Sequence, residues 1–520
     1  MPALLTELAA AGGDAPAIVA EHTTLSWAAL ADRVDRWIEV LRGLGVRDGD
    51  RIACVLGNGA AAFEVLLAGL HAGVTVVPVN WHLTDVEIAH ILADSGSRAL
   101  IVEAAYAPAA GRAAGSGMVR LVVGETGTDG FTAAEPLLRA AGGTAPAGQR
   151  LGSVMLYTSG TTGVPKGVNN GLFVAGSPFE RVQRLLRYAH AVLDVPAGGR
   201  VLLAGPWYHS AQLFFALLAL LQGSRLIVHR RFDPAATLAA IDLDQVTAVH
   251  LVPTQFVRML RLDPAVRANF SGTSLRRVWH GGGRCATDVK HRMIEWWGPV
   301  FWEYYAATEG GVVTLIDSAD WLRRPGSVGR AVPPNEVLVV DDAGQPLPPG
   351  QPGRVFVRRA KGGTFTYHNA PDKTRAAHLG PGVFTYGELG YLDEDGYLFL
   401  TGRAQEMVVS GGVNVYPAEV EAALLTHPAV RDTAVVGIPD DEYGERVVAV
   451  VELDPDWPPS QVDGLADRLD RHCRRTLAGF KVPRGYRLVA ELPREPTGKL
   501  RKDAVRNAYT AYTEPMASRP

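Results

Sequence analysis

The run Thr158-Ser159-Gly160-Thr161-Thr162-Gly163-Val164-Pro165-Lys166-Gly167 packs hydroxyls, glycines and one lysine into a single segment. It follows a short apolar stretch, Ser153 to Tyr157, with the pattern of a strand end. Such a loop can aim several backbone N–H and side-chain O–H groups at one anion, and Lys166 adds a point charge. The chemistry this favours is the cradling of a polyphosphate. It is not the Walker A arrangement, because Lys166 follows Val-Pro rather than Gly and precedes Gly rather than Ser or Thr. An ordinary surface loop is the competing interpretation, and it gives the Pro-Lys-Gly ending no reason.

Further segments follow in order along nearly the whole chain: Asn80 to Ser95, Pro206-Trp207-Tyr208-His209-Ser210, Tyr305-Ala306-Ala307-Thr308-Glu309, Gly402-Arg403, Gly411 to Glu421, and Pro493-Arg494 to Gly498-Lys499. With the loop, they resemble the motifs of the adenylate-forming (ANL) superfamily of acyl-CoA synthetases, peptide-synthetase adenylation domains and luciferases. Asp288 to Glu309 most resembles ligases of bulky carboxylic acids. The resemblance implies an AMP-forming acid–thiol ligase working in two steps. A carboxylate attacks the α-phosphorus of ATP, and a thiol, that of CoA, then displaces AMP from the acyl-adenylate.

By that resemblance, Lys166 with Thr158, Ser159, Thr161 and Thr162 holds the β- and γ-phosphates, with Gly160 and Gly163 shaping the loop. Glu309 would ligate Mg²⁺ and Thr308 would bond the α-phosphate. An isolated Thr-Glu pair is more often a helix-start signal. Lys499, in a Pro/Gly-rich segment, would neutralise charge developing between carboxylate and α-phosphate. Gly281-Gly282-Gly283 would let backbone approach the adenine, with Tyr305 on its other face; a simple turn after the strand Arg277 to Trp279 is the alternative. His209 would lie beside the acyl carboxylate, or be a core histidine. Trp207, Tyr208, His209 and Ala306 would border the acyl group, and Trp207, Tyr208, Phe214 and Phe215 suit either a large apolar pocket or core packing. Gly411 and Gly412 would line the path of CoA. Lys481 would meet CoA phosphates or be solvated.

Five positions depart from the family pattern. Glu388, in Tyr386-Gly387-Glu388, stands where an Asp holds the ribose hydroxyls, and its extra methylene moves the carboxylate by roughly 1 Å. Gly283-Arg284 replaces a small residue and Pro, Ala306 a frequent Gly, Asn169-Asn170-Gly171 a Thr-His ending, and Gln405 the hinge Asp or Lys. They raise an alternative function: a ligase with an impaired adenylating half that takes preformed acyl-AMP, made by a separate enzyme, plus CoA. A stand-alone adenylation enzyme loading a carrier protein would place an Asp for the amine, and the Tyr208/His209 region has none. A luciferase-like oxygenase shares every motif. A non-catalytic nucleotide-binding protein would not need Lys166, Glu309 and Lys499 together.

The elements that must position these residues follow from periodicity. Ser26 caps a helix with apolar Leu30, Val34, Trp37 and Leu41, ending near Gly43 and Gly45. Strands Arg51 to Leu56, Val74 to Val79 and Ala99 to Val102 alternate with helices Ala60 to Leu70 and Val86 to Ala93. This predicts βαβ units and mostly parallel sheet. Phe214 to Leu221 predicts a buried helix; Tyr106 to Ala147 is left open. Past Leu322, short strands at Val337 to Val340 and Arg354 to Val357 predict a small β-rich subdomain. After Arg403 the pattern restarts, with a helix from Pro417 to His427, strands Thr433 to Ile438 and Val447 to Glu452, and a helix around Gln461 to Thr476. The expected architecture is α/β: a large nucleotide- and acyl-binding domain over residues 1–403 with Arg403 at its end, and a mobile α+β domain over 404–520 that rotates between half-reactions. The final residues should fray.

At 520 residues more than one domain is expected. A net charge of −3 gives no electrostatic case for nucleic acid or an anionic membrane. The cysteines Cys54, Cys285 and Cys473 have no metal-like spacing and suit a reducing cytoplasm. No signal peptide is expected, and no apolar run is long enough to span a bilayer.

Overall fold

The computed structural model describes residues 4–128, 130–144, 150–158, 165–283, 285–359, 364–403, 406–410, 413–440, 443–475, 477, 479–495 and 500–511. Two large sheets dominate the N-terminal part. The first is wholly parallel, in the order Thr132–Ala133, Val119–Val123, Ala99–Glu103, Arg51–Val55, Thr75–Pro78, Ser153–Val154. The second has nine strands, and its centre is a parallel run from Pro16–Ala20 through Arg225–Val228, Arg200–Leu203, Ala248–Leu251 and Arg277–His280 to Phe301–Ala307. Antiparallel strands Thr23–Ser26 and Gly311–Asp317 flank that run. Both faces of such strands are covered, which is why they read as unbroken apolar stretches.

The helices Ala60–His71 and Ser210–Leu221 are buried nearly all round and share the largest core cluster. A helix apolar on every side belongs inside. The predicted first long helix is Trp27–Gly43, with the Ser26 side chain accepting from Ala29 N. Thr84 starts Asp85–Ser95 with a full capping box. The segment left open contains the helices Ala107–Ala113 and Ala134–Ala140 around Val119–Val123.

The β-rich region is an antiparallel six-stranded sheet built on Asn335–Val340, Gly353–Arg359, Glu388–Leu392 and Leu398–Arg403. Beyond it, a five-stranded sheet centred on Val430–Asp440 and Gly444–Leu453 carries the helices Pro417–Leu425, Leu465–Arg474 and Lys502–Ala511. This is the expected α/β class, with a large N-terminal part of parallel sheets and a smaller C-terminal unit. One local expectation is corrected. Ser153 to Tyr157 is not one strand end: Ser153–Val154 closes the parallel sheet, and Leu156–Thr158 enters a separate three-stranded sheet with Lys166–Asn169 and Thr366–Tyr367. Among the described residues, no helix is long and apolar enough to cross a membrane.

Candidate active site

The loop's two ends are fixed by pairing: Leu156–Thr158 runs antiparallel to Lys166–Asn169, with Thr158 and Lys166 as register partners. Ser159, Gly160, Thr161, Thr162 and Gly163 lie outside the described residues. The hairpin is tied down from below. His90 donates from Nε2 to the Pro165 carbonyl at 3.0 Å, and the Tyr157 hydroxyl donates to Asp94 at 2.7 Å. On the other edge Val168 pairs with Tyr367. Lys166 Nζ sits 5.3 Å from the centre of the Tyr367 ring, and the Tyr367 hydroxyl donates to Glu309 Oε1 at 2.9 Å. Burial, and then the neighbouring Lys373 ammonium, hold Lys166 below the ordinary lysine range, while Glu309 opposes both. Burial and Glu309 keep the Tyr367 phenol protonated. No sequence motif points to Tyr367 or Lys373.

Thr308 and Glu309 do not start a helix. They form the turn of the hairpin between Phe301–Ala307 and Gly311–Asp317. Three contacts pin this turn. Thr308 donates from Oγ1 to Ser210 Oγ at 3.0 Å; Asn170 Nδ2 donates to the Thr308 carbonyl at 3.2 Å; Arg359 donates to the Gly310 carbonyl at 2.9 Å. Asn170 also accepts from Leu172 N at 3.1 Å. The Asn169-Asn170-Gly171 ending thus supplies a buried amide that joins the strand Lys166–Asn169 to the Thr308–Glu309 turn.

Gly281, Gly282 and Gly283 follow the strand Arg277–His280. A Cβ on Gly281 would lie 2.7 Å from the Tyr304 carbonyl oxygen and 2.8 Å from its ring, and Gly282 has φ +74°. Only glycine satisfies both demands. Tyr305 is buried, and its hydroxyl donates to Glu388 Oε2 at 2.7 Å. Glu388 opens the strand Glu388–Leu392 with Arg403 as register partner. Behind this wall runs a buried polar relay. The Gln212 side chain accepts from Gly205 N and donates to His250 Nδ1, so His250 Nε2 donates to the Tyr304 hydroxyl at 2.7 Å. Burial pushes His250 down to about 3, so it is neutral.

On the acyl side, Trp207 is fully buried, donating from Nε1 to the Leu56 carbonyl at 2.7 Å, and Phe215 stacks on Trp279 at 4.7 Å. Both sit in the core. Tyr208 is buried, edge-on to Trp81 and 4.8 Å from the His209 ring. His209 precedes the helix Ser210–Leu221, and Ala306 is half-buried on the strand Phe301–Ala307. Phe214 is half-buried and stacks on Phe173.

Lys499, Gln405, Gly411, Gly412 and Arg284 lie outside the described residues. Arg494 and Glu495 line a cleft of about 880 Å³ together with His82 and Arg258. Arg494 pairs with Asp432, and the Glu495 charge reaches the Tyr208 phenol. Lys481 pairs with Glu419 at 2.7 Å. Cys54, Cys285 and Cys473 are all buried.

A lysine at the end of a glycine- and hydroxyl-rich loop, a carboxylate at a pinned hairpin tip, a glycine run after a parallel strand and a tyrosine–glutamate pair suit a nucleotide. The profile of AMP-binding enzymes matches residues 5–366, and that of the AMP-binding enzyme C-terminal domain matches residues 419–499. A feruloyl-CoA synthase of Amycolatopsis is 35% identical over 493 residues, covering 94% of each chain. A long-chain-fatty-acid–CoA ligase of Mycobacterium tuberculosis is 31% identical, covering 94% of this chain and 93% of its own. The o-succinylbenzoate CoA synthetase of Bacillus subtilis, solved with its acyl-adenylate, superposes with a TM-score of 0.82 at 26% identity, covering 98% of each chain. The chain belongs to the adenylate-forming AMP-binding enzymes, in their acid–thiol ligase branch.

Proposed function

We propose that this acyl-CoA ligase joins a bulky hydrophobic carboxylic acid to CoA through an acyl-adenylate. The observation that carries the reading is the convergence of Lys166, Tyr367 and Glu309 in front of the phosphate hairpin. In the first step a carboxylate oxygen bonds to the α-phosphorus of ATP, the bond to the bridging oxygen breaks, and pyrophosphate leaves. Two anions meet there, so fixed positive charge and oriented donors supply most of the catalysis. Lys166, Thr158 and the loop hydroxyls of Ser159, Thr161 and Thr162 grip the leaving phosphates. Thr308, held by Ser210 and Asn170, faces the α-phosphate, and Lys499 enters from the C-terminal domain. Gly281 to Gly283, Tyr305 and Glu388 hold adenosine.

Glu309 suits Mg²⁺: it offers one hard carboxylate at a rigid turn, and this ion is usually bound by one or two carboxylates plus phosphate oxygens. When bound, the ion would neutralise phosphate charge. In the second step residues 404–520 rotate, the CoA thiolate attacks the acyl carbon, and AMP departs. Gly411, Gly412 and Lys481 guide CoA. Tyr208, His209, Ala306 and Phe214 border the acid, with Trp207 as support behind them. The bulky apolar substrate class is supported by that aromatic wall and by the feruloyl and long-chain names of two relatives.

The test gives a panel of bulky acids in two forms, each acid with ATP, Mg²⁺ and CoA, or its synthetic acyl-AMP with CoA. Acyl-CoA is followed by mass. Product from both forms is expected. Product from acyl-AMP alone would mean that the adenylating half is lost and that another enzyme supplies the intermediate. No product in either form, from a protein that binds AMP, would overturn the ligase reading.

A further inference from the structure

Beside the lysine of the phosphate loop stands a second one from a distant part of the chain. The two-residue strand Thr366–Tyr367 pairs with the far edge of Lys166–Asn169, and His368 N donates to the Gly167 carbonyl at 2.8 Å. The chain then turns at Pro371 into the short helix Pro371–Ala376. That turn is clamped to the strand, because Tyr367 N donates to Thr374 Oγ1 at 3.0 Å. Lys373, immediately before Thr374 and half-buried, is thereby carried close enough to Lys166 for the two ammoniums to act on each other. Glu309 faces the same spot through the hydroxyl of Tyr367.

We propose that Lys373 is a second polyphosphate-binding ammonium, which together with Lys166 grips the part of ATP that leaves as pyrophosphate. The inference rests on the ligase reading for the identity of the anion. Two ammonium groups brought together by separate, hydrogen-bonded elements repel each other, and the arrangement makes chemical sense when a multiply charged anion lies between them. Burial first, and the Lys373 ammonium second, hold Lys166 below the ordinary lysine range. A pair of point charges also suits a leaving group that gains charge as it departs, since both contacts strengthen while the α–β bond breaks. AMP lacks the β- and γ-phosphates and has nothing to offer Lys373.

The experiment measures binding of Mg²⁺–pyrophosphate, Mg²⁺–ATP and AMP to the full chain by calorimetry, for the natural protein, Lys373→Met and Lys373→Arg. Thermal midpoints check that each variant is folded. Lys373→Met is expected to weaken pyrophosphate and ATP by about tenfold while AMP affinity moves by less than about twofold. Lys373→Arg restores most of the loss, because it keeps the charge. Pyrophosphate and ATP affinities unchanged in folded Lys373→Met would overturn the proposal, even where the natural protein makes acyl-CoA. The expected pattern in a protein that makes no acyl-CoA would support the phosphate site and overturn the ligase reading instead.

Discussion

One β-hairpin, Phe301–Ala307 with Gly311–Asp317, carries two glutamates that each feel lysine charge, and the two settings differ in kind. Glu303 lies in the strand, where Lys290 of the helix Thr287–Trp297 reaches it at 2.5 Å. Both side chains are sealed, at 8% and 0% exposure. Burial pushes Glu303 up and Lys290 down, and their contact opposes both shifts. Glu309 lies at the tip, where Lys166 and Lys373 converge beside Tyr367 in a half-buried setting. The sealed pair is balanced one to one and admits nothing. The open cluster sets two ammoniums near one carboxylate and stays partly exposed. Burial with balanced charge marks a structural pair; partial exposure with a surplus of one sign marks a place for a ligand.

The comparison breaks most readily at its buried half. Lys290→Met should lower unfolding free energy by about 3–5 kcal/mol, because it strands the Glu303 carboxylate in an apolar site. Urea unfolding would show a lower midpoint at unchanged slope. The double change Lys290→Met with Glu303→Leu should recover most of that loss. A loss below about 1 kcal/mol in the single variant would mean that the pair does not hold the fold. The open half behaves in the opposite way. Lys166→Met should leave stability within about 0.5 kcal/mol yet slow acid-dependent ATP–pyrophosphate exchange by about 100- to 1,000-fold. An exchange rate within about threefold of the natural protein would remove Lys166 from the site.

The difference between these clusters also explains what could be read from sequence. The parallel sheets were legible because their strands are apolar runs separated by helices with strong local signals, such as Ser26 before Trp27–Gly43 and the Thr84–Glu87 box. Lys166, Thr308 and Glu309 stand out as candidates because their neighbours in sequence form recognisable strings. Tyr367 and Lys373 were not, since a two-residue strand and a six-residue helix have too few positions for any periodicity to register. The one available cue was Pro371-Asp372-Lys373-Thr374, a proline-started turn with a lysine in it. Trp207 and Phe215 show the converse limit. Aromatic residues suit a pocket wall and a core equally, and only Leu56 and Trp279 as partners place them in the core. Met155, where the chain leaves one sheet for another, sits in a run too short to reveal the change.

A smaller effect sharpens the contrast through protons. Lys166 is held below the ordinary lysine range in the free protein by burial and Lys373. An anion bound between the lysines favours the charged form and returns that affinity upward. Between the lowered value and the ordinary one, the free protein carries less than a full proton there and the complex carries more. Binding of pyrophosphate in that window should therefore take up a proton, by less than about one equivalent, and none well below the window. Calorimetry in buffers of different ionisation enthalpy measures the uptake. Lys373→Met should shrink it, and equal uptake in both proteins would sever the link between the lysines.

The smallest effect concerns how firmly the open cluster is held. Asn170 is buried, donates to the Thr308 carbonyl and accepts from Leu172 N, so it welds the phosphate strand to the hairpin tip. Asn170→Ala removes both bonds and should cost about 1 kcal/mol of stability. Activity should fall by about three- to fivefold, because the tip then positions Thr308 less tightly. Asn170→Asp separates the two roles: it keeps the acceptor for Leu172 but sets a carboxylate against the Thr308 carbonyl. A larger loss of exchange activity for Asp than for Ala would locate the function of Asn170 in its amide donor. Equal losses would assign the tip to Ser210 and Arg359, which hold it from the other side.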